Sequence, residues 1–250
     1  MNKQIIIMTM MISVFVSCKK EDNMNVAISQ SVNVGNANSI TIMSAPENLL
    51  NPYDSVGCLH NRIVAYVLGC KGNTAPDANT STQYVMQFYK QLYGVDLPAS
   101  VFATVSSAVN ESNTDIQDVI AGSSYDEMVK LKLDSLMQMI NKLSNGNTSY
   151  PAIKNAIGDF ENGVIQDNLL PLEDSEAILR ITSIARFSIY YWMDVFKEPL
   201  QGTAFSIKHI VRWIAATTSD IGGAIVSGNN VAYAADCSAY AYDLITYSMP

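Results

Sequence analysis

The chain has 250 residues and a formal net charge of -8 at pH 7, with 15 lysines and arginines against 23 aspartates and glutamates. An acidic chain without clustered basic residues cannot neutralise a run of phosphates, so we expect no nucleic-acid partner. Hydrophobic residues make up 48% of the chain, and its length is sufficient for the core of one large domain or two small ones.

The N-terminus has the pattern of an export signal. Lys3 provides a positive start, and the mostly apolar segment 5–16 follows it. An apolar segment this short cannot span a bilayer as a stable anchor, so we interpret it as a cleaved signal. We place this signal at residues 1–17.

The signal ends in Val-Phe-Val-Ser and is followed by Cys18. This ending resembles the lipobox of bacterial lipoproteins, in which a peptidase cuts before the cysteine and the cysteine is then acylated. The resemblance implies a palmitate-type lipid anchor on Cys18, and acyl chains buried in a bilayer hold a protein on the membrane. The membrane is therefore the first expected partner.

The residues after Cys18 indicate in which of the two bacterial membranes the protein is expected. Aspartate at the second mature position retains some lipoproteins in the inner membrane, whereas this chain has Lys19. The charged tract 19–23 also resembles that of surface-exposed lipoproteins of Gram-negative gut commensals. These resemblances imply an outer-membrane protein, with periplasmic and outward orientations both open.

A polar tether is predicted next, over residues 18–45, with a short edge strand as the alternative because apolar residues alternate weakly there. Residues 46–250 are predicted to form a single helical domain. Its first helix should begin at Asn51 and Pro52, an N-cap and a first helical residue, and run to about Leu68.

Helical periodicity continues to the end of the chain. Ser124 and Glu127 form a capping box for a helix from residue 125 to about Leu143, which Asn145 and Gly146 should end. An apolar stripe predicts a helix of about 24 residues from Glu173 onward. The other predicted helices are 81–93, a short one after Pro98, 150–166, 206–227 and 231–247. We therefore predict an all-α bundle of about seven to nine helices.

The densest polar segment is 51–61, which contains Asp54, His60 and Asn61. These residues interrupt a helix that is otherwise apolar nearly all round, and such a helix is buried. The three side chains should therefore lie inside the bundle or at a cleft, where each needs a partner. They form either an internal polar network or a ligand pocket, and Asp220 is the partner that we predict from a later helix.

The same segment reads Asn-Pro-x-Asp-x-x-Gly-x-x-His-Asn, with Gly57 at its centre. It resembles a segment found in a group of uncharacterised bacterial proteins, many of them lipoproteins. Those relatives commonly continue with an acidic residue where this chain has Arg62. The resemblance covers about eleven residues and implies no activity.

A second candidate segment, 216–228, is rich in small residues, among them Ser219, Gly222 and Gly223. Small faces allow two helices to approach closely, which favours a tight helical hairpin. A membrane-active segment is the alternative, although Asp220 argues against it because polar groups are costly in lipid.

Sequence motifs for catalysis are few. We find no nucleophile elbow, no phosphate-binding glycine loop and no metal-ligand spacing, so we expect no metal and no cofactor. The resulting prediction is a lipid-anchored cell-envelope protein that acts as a binding or structural module, with a small molecule or a protein as its partner. A hydrolase with a site near Asp54 and His60 is one alternative, and a membrane-active helical protein is the other.

Overall fold

The computed structural model describes residues 45–72, 75–145, 149–196 and 207–248. The predicted signal, the predicted lipidation site Cys18 and nearly all of the predicted tether lie outside the described residues. Within the described residues there are nine α-helices, one short 3-10 helix and no strand, which confirms the all-α prediction.

The helices follow one another along the described parts of the chain. Their bounds are α1 Asp54–Lys71, α2 Ala78–Tyr93, the 3-10 helix Ala99–Phe102, α3 Val105–Thr114, α4 Ile116–Gly122, α5 Glu127–Asn145, α6 Tyr150–Ile165, α7 Leu172–Val195, α8 Ile207–Val226 and α9 Val231–Ser248.

Four long helices form the centre of the bundle. Helix α1 packs on α7 and α9, and α8 packs on both α7 and α9. The shorter helices surround this centre: α2 lies against α1 and α9, α3 and α4 against α8, and α5 and α6 against α7. Helix α7 has 24 residues and spans about 36 Å, so it contacts partners along most of the bundle.

The helix starts differ from the sequence prediction in three places. Helix α1 begins at Asp54, because Asn51 Oδ1 accepts the Tyr53 N–H at 2.8 Å in a turn that precedes the helix. Helix α2 begins at Ala78, because the Asp77 carboxylate caps it by accepting the Asn79 and Thr80 N–H groups. Helix α5 begins at Glu127 rather than at residue 125.

Helices α3 and α4 were not predicted. Helix α3 has the sequence Val-Ser-Ser-Ala-Val-Asn-Glu-Ser-Asn-Thr, whose serine, asparagine and threonine residues have weak helix propensity. Its buried face, which includes Val105, Ala108 and Val109, packs against α8. Tertiary packing therefore stabilises a helix that local propensity does not indicate.

The glycine-rich segment of α8 forms close helix contacts. A Cβ atom on Gly222 would lie 1.8 Å from Ser112 Oγ on α3, and one on Gly223 would lie 2.9 Å from Cys237 Sγ on α9. The Gly223 contact supports the tight-hairpin interpretation of residues 216–228, and the Gly222 contact shows that α3 also packs closely on α8. No helix within the described residues is both long enough and apolar enough to cross a membrane.

Candidate functional site

The polar segment 51–61 lies at the contact between α1 and α7. Gly57 sits where the two helices are closest: its N–H donates to Ser183 Oγ at 3.0 Å, and the same hydroxyl donates to the Asp54 carbonyl at 3.0 Å. A Cβ atom at Gly57 would lie 2.4 Å from the Ser183 carbonyl oxygen and 2.6 Å from the Phe187 ring. The glycine is therefore required for this close approach.

Asn51 connects the turn before α1 to α6 and α7. Its Nδ2 group donates to Glu161 Oε1 at 2.8 Å and to the Leu179 carbonyl at 2.9 Å. Asn48 adds a second bond from the same turn, donating to Glu161 Oε2 at 2.6 Å. The two asparagines thus satisfy both oxygens of a carboxylate that is completely buried.

Asp54 pairs with a buried arginine of α7. Arg186 Nη2 lies 2.5 Å from Asp54 Oδ1 and 3.2 Å from Glu161 Oε1, and Arg186 Nη1 donates to the Pro46 carbonyl. We call Arg186, Asp54, Glu161, Asn51 and Asn48 the arginine cluster. One guanidinium serves two carboxylates here, and the cluster joins the turn before α1 to α6 and α7.

The Asp54 carboxyl has a raised pKa. Burial is the largest cause, and the Glu161 carboxylate acts in the same direction. The Arg186 guanidinium and the Asn48 N–H oppose the increase in pKa by stabilising the charged form. Desolvation therefore outweighs the ion pair at this position.

His60 and Asn61 bond to each other and to α7. The His60 Nδ1 atom lies 3.0 Å from Asn61 Oδ1, and Asn61 Nδ2 donates to the Phe187 carbonyl at 2.7 Å. A backbone carbonyl only accepts, so the amide nitrogen of Asn61 must face Phe187 and its oxygen must face His60. The proton of the histidine is therefore on Nδ1.

The other ring nitrogen of His60 faces α8. Its Nε2 atom is 3.8 Å from Asp220 Oδ2, which is beyond hydrogen-bonding distance, and both side chains are fully buried. Asp220 Oδ2 also accepts from the Ser188 hydroxyl and, at 3.0 Å, from Trp192 Nε1. We call His60, Asn61, Asp220, Ser188 and Trp192 the aspartate cluster.

The Asp220 carboxyl also has a raised pKa. Burial is the largest cause, and His60, Ser188, Ser238 and Trp192 each act to lower it. The Asp220 carboxyl accepts from two donors on α7 and lies near a hydroxyl of α9 and an imidazole of α1, so it is in contact with three other helices. This arrangement favours a structural role for Asp220, which fixes the relative positions of those helices, over a role as a reactive carboxylate.

The four residues singled out from the sequence therefore separate into two groups. The structure brings His60, Asn61 and Asp220 together in the aspartate cluster. Asp54 belongs to the arginine cluster, six residues earlier on α1. The described side chains of both groups make contacts between helices, which favours the internal-network interpretation of the segment.

The sequence analysis missed the partners of these residues. Arg186 and Glu161 are both 0% exposed, although their residue types are seldom buried unless they are paired. Arg186 could have been noticed in the sequence, because it is a charged residue within the apolar segment that predicts α7. The spacing of residues around Glu161 gives no such indication.

The described residues give little support for a metal site or for a reactive cysteine. No group of three or more histidine, cysteine, aspartate or glutamate side chains in that part of the chain could hold a metal ion. Cys70 and Cys237 are free thiols, the first exposed and the second buried. Burial raises the pKa of the Cys237 thiol well above its usual value, which disfavours the nucleophilic thiolate.

An open groove lies on another face of the domain, formed by α3, α4 and the end of α8. Its volume is about 630 Å³. The lining includes the carboxylates of Glu111, Asp115 and Asp118, no basic residue, and the apolar side chains of Ile225 and Val226. We call this the acidic groove.

Comparison of the chain with known protein families, with curated proteins and with solved structures finds no match in any of the three.

Proposed function

We propose that this protein is a lipid-anchored binding module of the bacterial outer membrane. The Cys18 lipobox supports the anchor, and the acidic groove is the single observation that carries the binding role. In this proposal the segment 51–61 stabilises the helical scaffold, and the partner binds elsewhere.

The groove favours a positively charged partner with some apolar character. Glu111, Asp115 and Asp118 are all exposed, so their charges face solvent and attract cations at a distance. Val226, which is 44% exposed, adds an apolar contact on the opposite wall. A basic segment of a protein, or a polyamine, has this combination of charge and methylene groups.

The contacts of the two clusters argue against the enzymatic alternative near Asp54 and His60. Asp54 is held by Arg186, and His60 is fully buried between α1, α7 and α8. A general acid or base needs a substrate atom within hydrogen-bonding reach, and the geometry gives these side chains protein neighbours instead.

The proposal can be tested by titration calorimetry with spermine and with a tetralysine peptide at low salt. We expect both probes to bind, and the double variant Glu111→Gln/Asp118→Asn to bind about tenfold more weakly, because each exposed ion pair contributes up to about 1 kcal/mol. Raising the salt concentration should weaken binding to the unmodified protein.

The matched control is the double variant Asp96→Asn/Glu173→Gln. It removes the same net charge at two positions outside the groove, one in the loop after α2 and one at the start of α7. This control should bind the probes as the unmodified protein does. Equal weakening by both double variants would show that net charge alone attracts the probes, and the groove would then be rejected as the site.

A further inference from the structure

Several buried side-chain atoms have no hydrogen-bond partner among the described residues, and three of them belong to neighbouring residues of α1, α8 and α9: His60 Nε2, Asp220 Oδ1 and Ser238 Oγ. All three residues are 0% exposed. Leaving a buried donor or acceptor unsatisfied is costly, and most buried polar atoms in folded proteins are paired. Three such atoms in one region indicate a group that bonds to all of them.

Asp220 is the residue that joins the three, because both His60 and Ser238 act on its carboxyl group. His60 Nε2 is 3.8 Å from Asp220 Oδ2. The Ser238 hydroxyl lies close enough to the Asp220 carboxyl to lower its pKa. Each of the three helices thus contributes one polar side chain.

The tautomer of His60 makes a direct contact with Asp220 unfavourable. Because Nδ1 carries the proton that is donated to Asn61 Oδ1, Nε2 of a neutral ring is an acceptor. A carboxylate oxygen is also an acceptor, and two lone pairs facing each other repel. The pair needs a donor between them.

We propose that a single buried water molecule bridges His60, Asp220 and Ser238. Its two hydrogens would be donated to His60 Nε2 and Asp220 Oδ1, and its oxygen would accept the Ser238 hydroxyl. One water then satisfies all three atoms, and buried waters typically make two to four such bonds.

A small cation fits this place less well than water. Sodium and calcium prefer a shell of oxygen ligands, whereas the site offers one free carboxylate oxygen, one hydroxyl and one ring nitrogen. The described residues contain no cluster of metal-ligating side chains here or elsewhere. A water molecule matches this place because its two hydrogens can be donated to the two acceptors, and its oxygen can accept the hydroxyl hydrogen.

The first test is a high-resolution crystal structure of the full mature chain. We expect one density peak within hydrogen-bonding distance of His60 Nε2, Asp220 Oδ1 and Ser238 Oγ. A direct bond between Ser238 and Asp220 with no peak beside them would overturn the proposal. A peak with short contacts to several oxygens would overturn it as well, because it would mark a cation.

The second test works in solution with Ser238→Ala. Magnetisation transfer from a long-lived water to the His60 ring should be visible by NMR in the unmodified protein and lost in the variant. The unfolding equilibrium constant of the variant should rise about tenfold, because one buried partner of the water is removed. Ser135→Ala, at an exposed serine of α5, is the control and should leave the His60 signal unchanged; an unchanged signal in Ser238→Ala would contradict the proposal.

Discussion

Arg186 illustrates how much a single buried residue can organise. Removing a guanidinium from water is costly, and the Asp54 and Glu161 carboxylates and the Pro46 carbonyl compensate for that cost. These partners come from the turn before α1, from α1 and from α6. A shift of α7 along its axis would separate the guanidinium from its partners, so the arginine fixes the register of these segments.

Asp236 leads to a prediction about pH. It is fully buried on α9, its Oδ2 atom accepts from Thr82 Oγ1 at 2.5 Å, and burial raises its pKa to about 6 against the opposing effects of Thr82, Ser81 and Lys71. The folded protein therefore binds this proton more tightly than the unfolded chain does, and stability is lost as pH rises from about 4 to about 6.

Asp236→Asn removes this titration. We expect the variant to exceed the unmodified protein in unfolding free energy by about 1 to 3 kcal/mol at pH 7, with the difference shrinking toward zero below pH 4. Urea denaturation of both proteins between pH 4 and pH 7 measures it. A difference that stays constant over this range would show that Asp236 is ionised in the folded protein at all of these pH values.

Helix α1 contains a matched pair of glycines that tests the close contact with α7. Alanine at Gly57 would place its Cβ atom 2.4 Å from the Ser183 carbonyl oxygen, whereas nothing lies within 4 Å of a Cβ atom at Gly69. We expect Gly57→Ala to lower the unfolding free energy by about 2 to 3 kcal/mol through overpacking. Gly69→Ala should raise it by about 0.5 to 1 kcal/mol through helix propensity.

Chemical denaturation of the two glycine variants separates packing from propensity, since both substitutions lie on the same helix and add the same methyl group. If Gly57→Ala were as stable as Gly69→Ala, the contact between α1 and α7 would have to be looser than the structure has it.

At the scale of the elements, the sequence predicted the long helices and the short helix after Pro98, and it missed α3 and α4. Apolar periodicity and the Ser-x-x-Glu and Asn-Gly signals are local, so they located α5 through α9 within a few residues. Helices α3 and α4 depend on α8 for their stability, and the Asp115 carboxylate that caps α4 follows directly on the end of α3. A periodic pattern this short and polar could not be separated from a loop.

The candidate site could be predicted only in part, for a similar reason. Asp54, His60 and Asn61 were found because polar residues are unusual on a buried helix. Their partners are far away in the chain: Arg186 is 132 residues from Asp54, and Phe187 is 126 residues from Asn61. Spacing within one segment carries no information about such contacts, so the division into two clusters became visible only in three dimensions.

For the whole molecule, the lipid anchor gives the most direct prediction. Cys18→Ser removes the thiol that we propose is acylated, so we expect the variant to lose palmitate labelling and to move from the membrane fraction to the soluble fraction, because the proposed anchor depends on buried acyl chains. Labelling and fractionation of cells expressing either protein measure both effects. Cys70→Ser, at an exposed free thiol of α1, is the control and should remain labelled; membrane retention of unlabelled Cys18→Ser would argue against the lipobox.

The position of α1 at the centre of the bundle has a consequence for the order of folding. It precedes the other described helices in the chain, yet Gly57 and Asn61 bond to α7, and His60 faces Asp220 on α8. Contacts this distant in sequence slow folding, because long loops must close before any of them forms. A nascent chain that ends before α7 has no partners for these polar groups, so the domain is completed only after nearly all of it has been made.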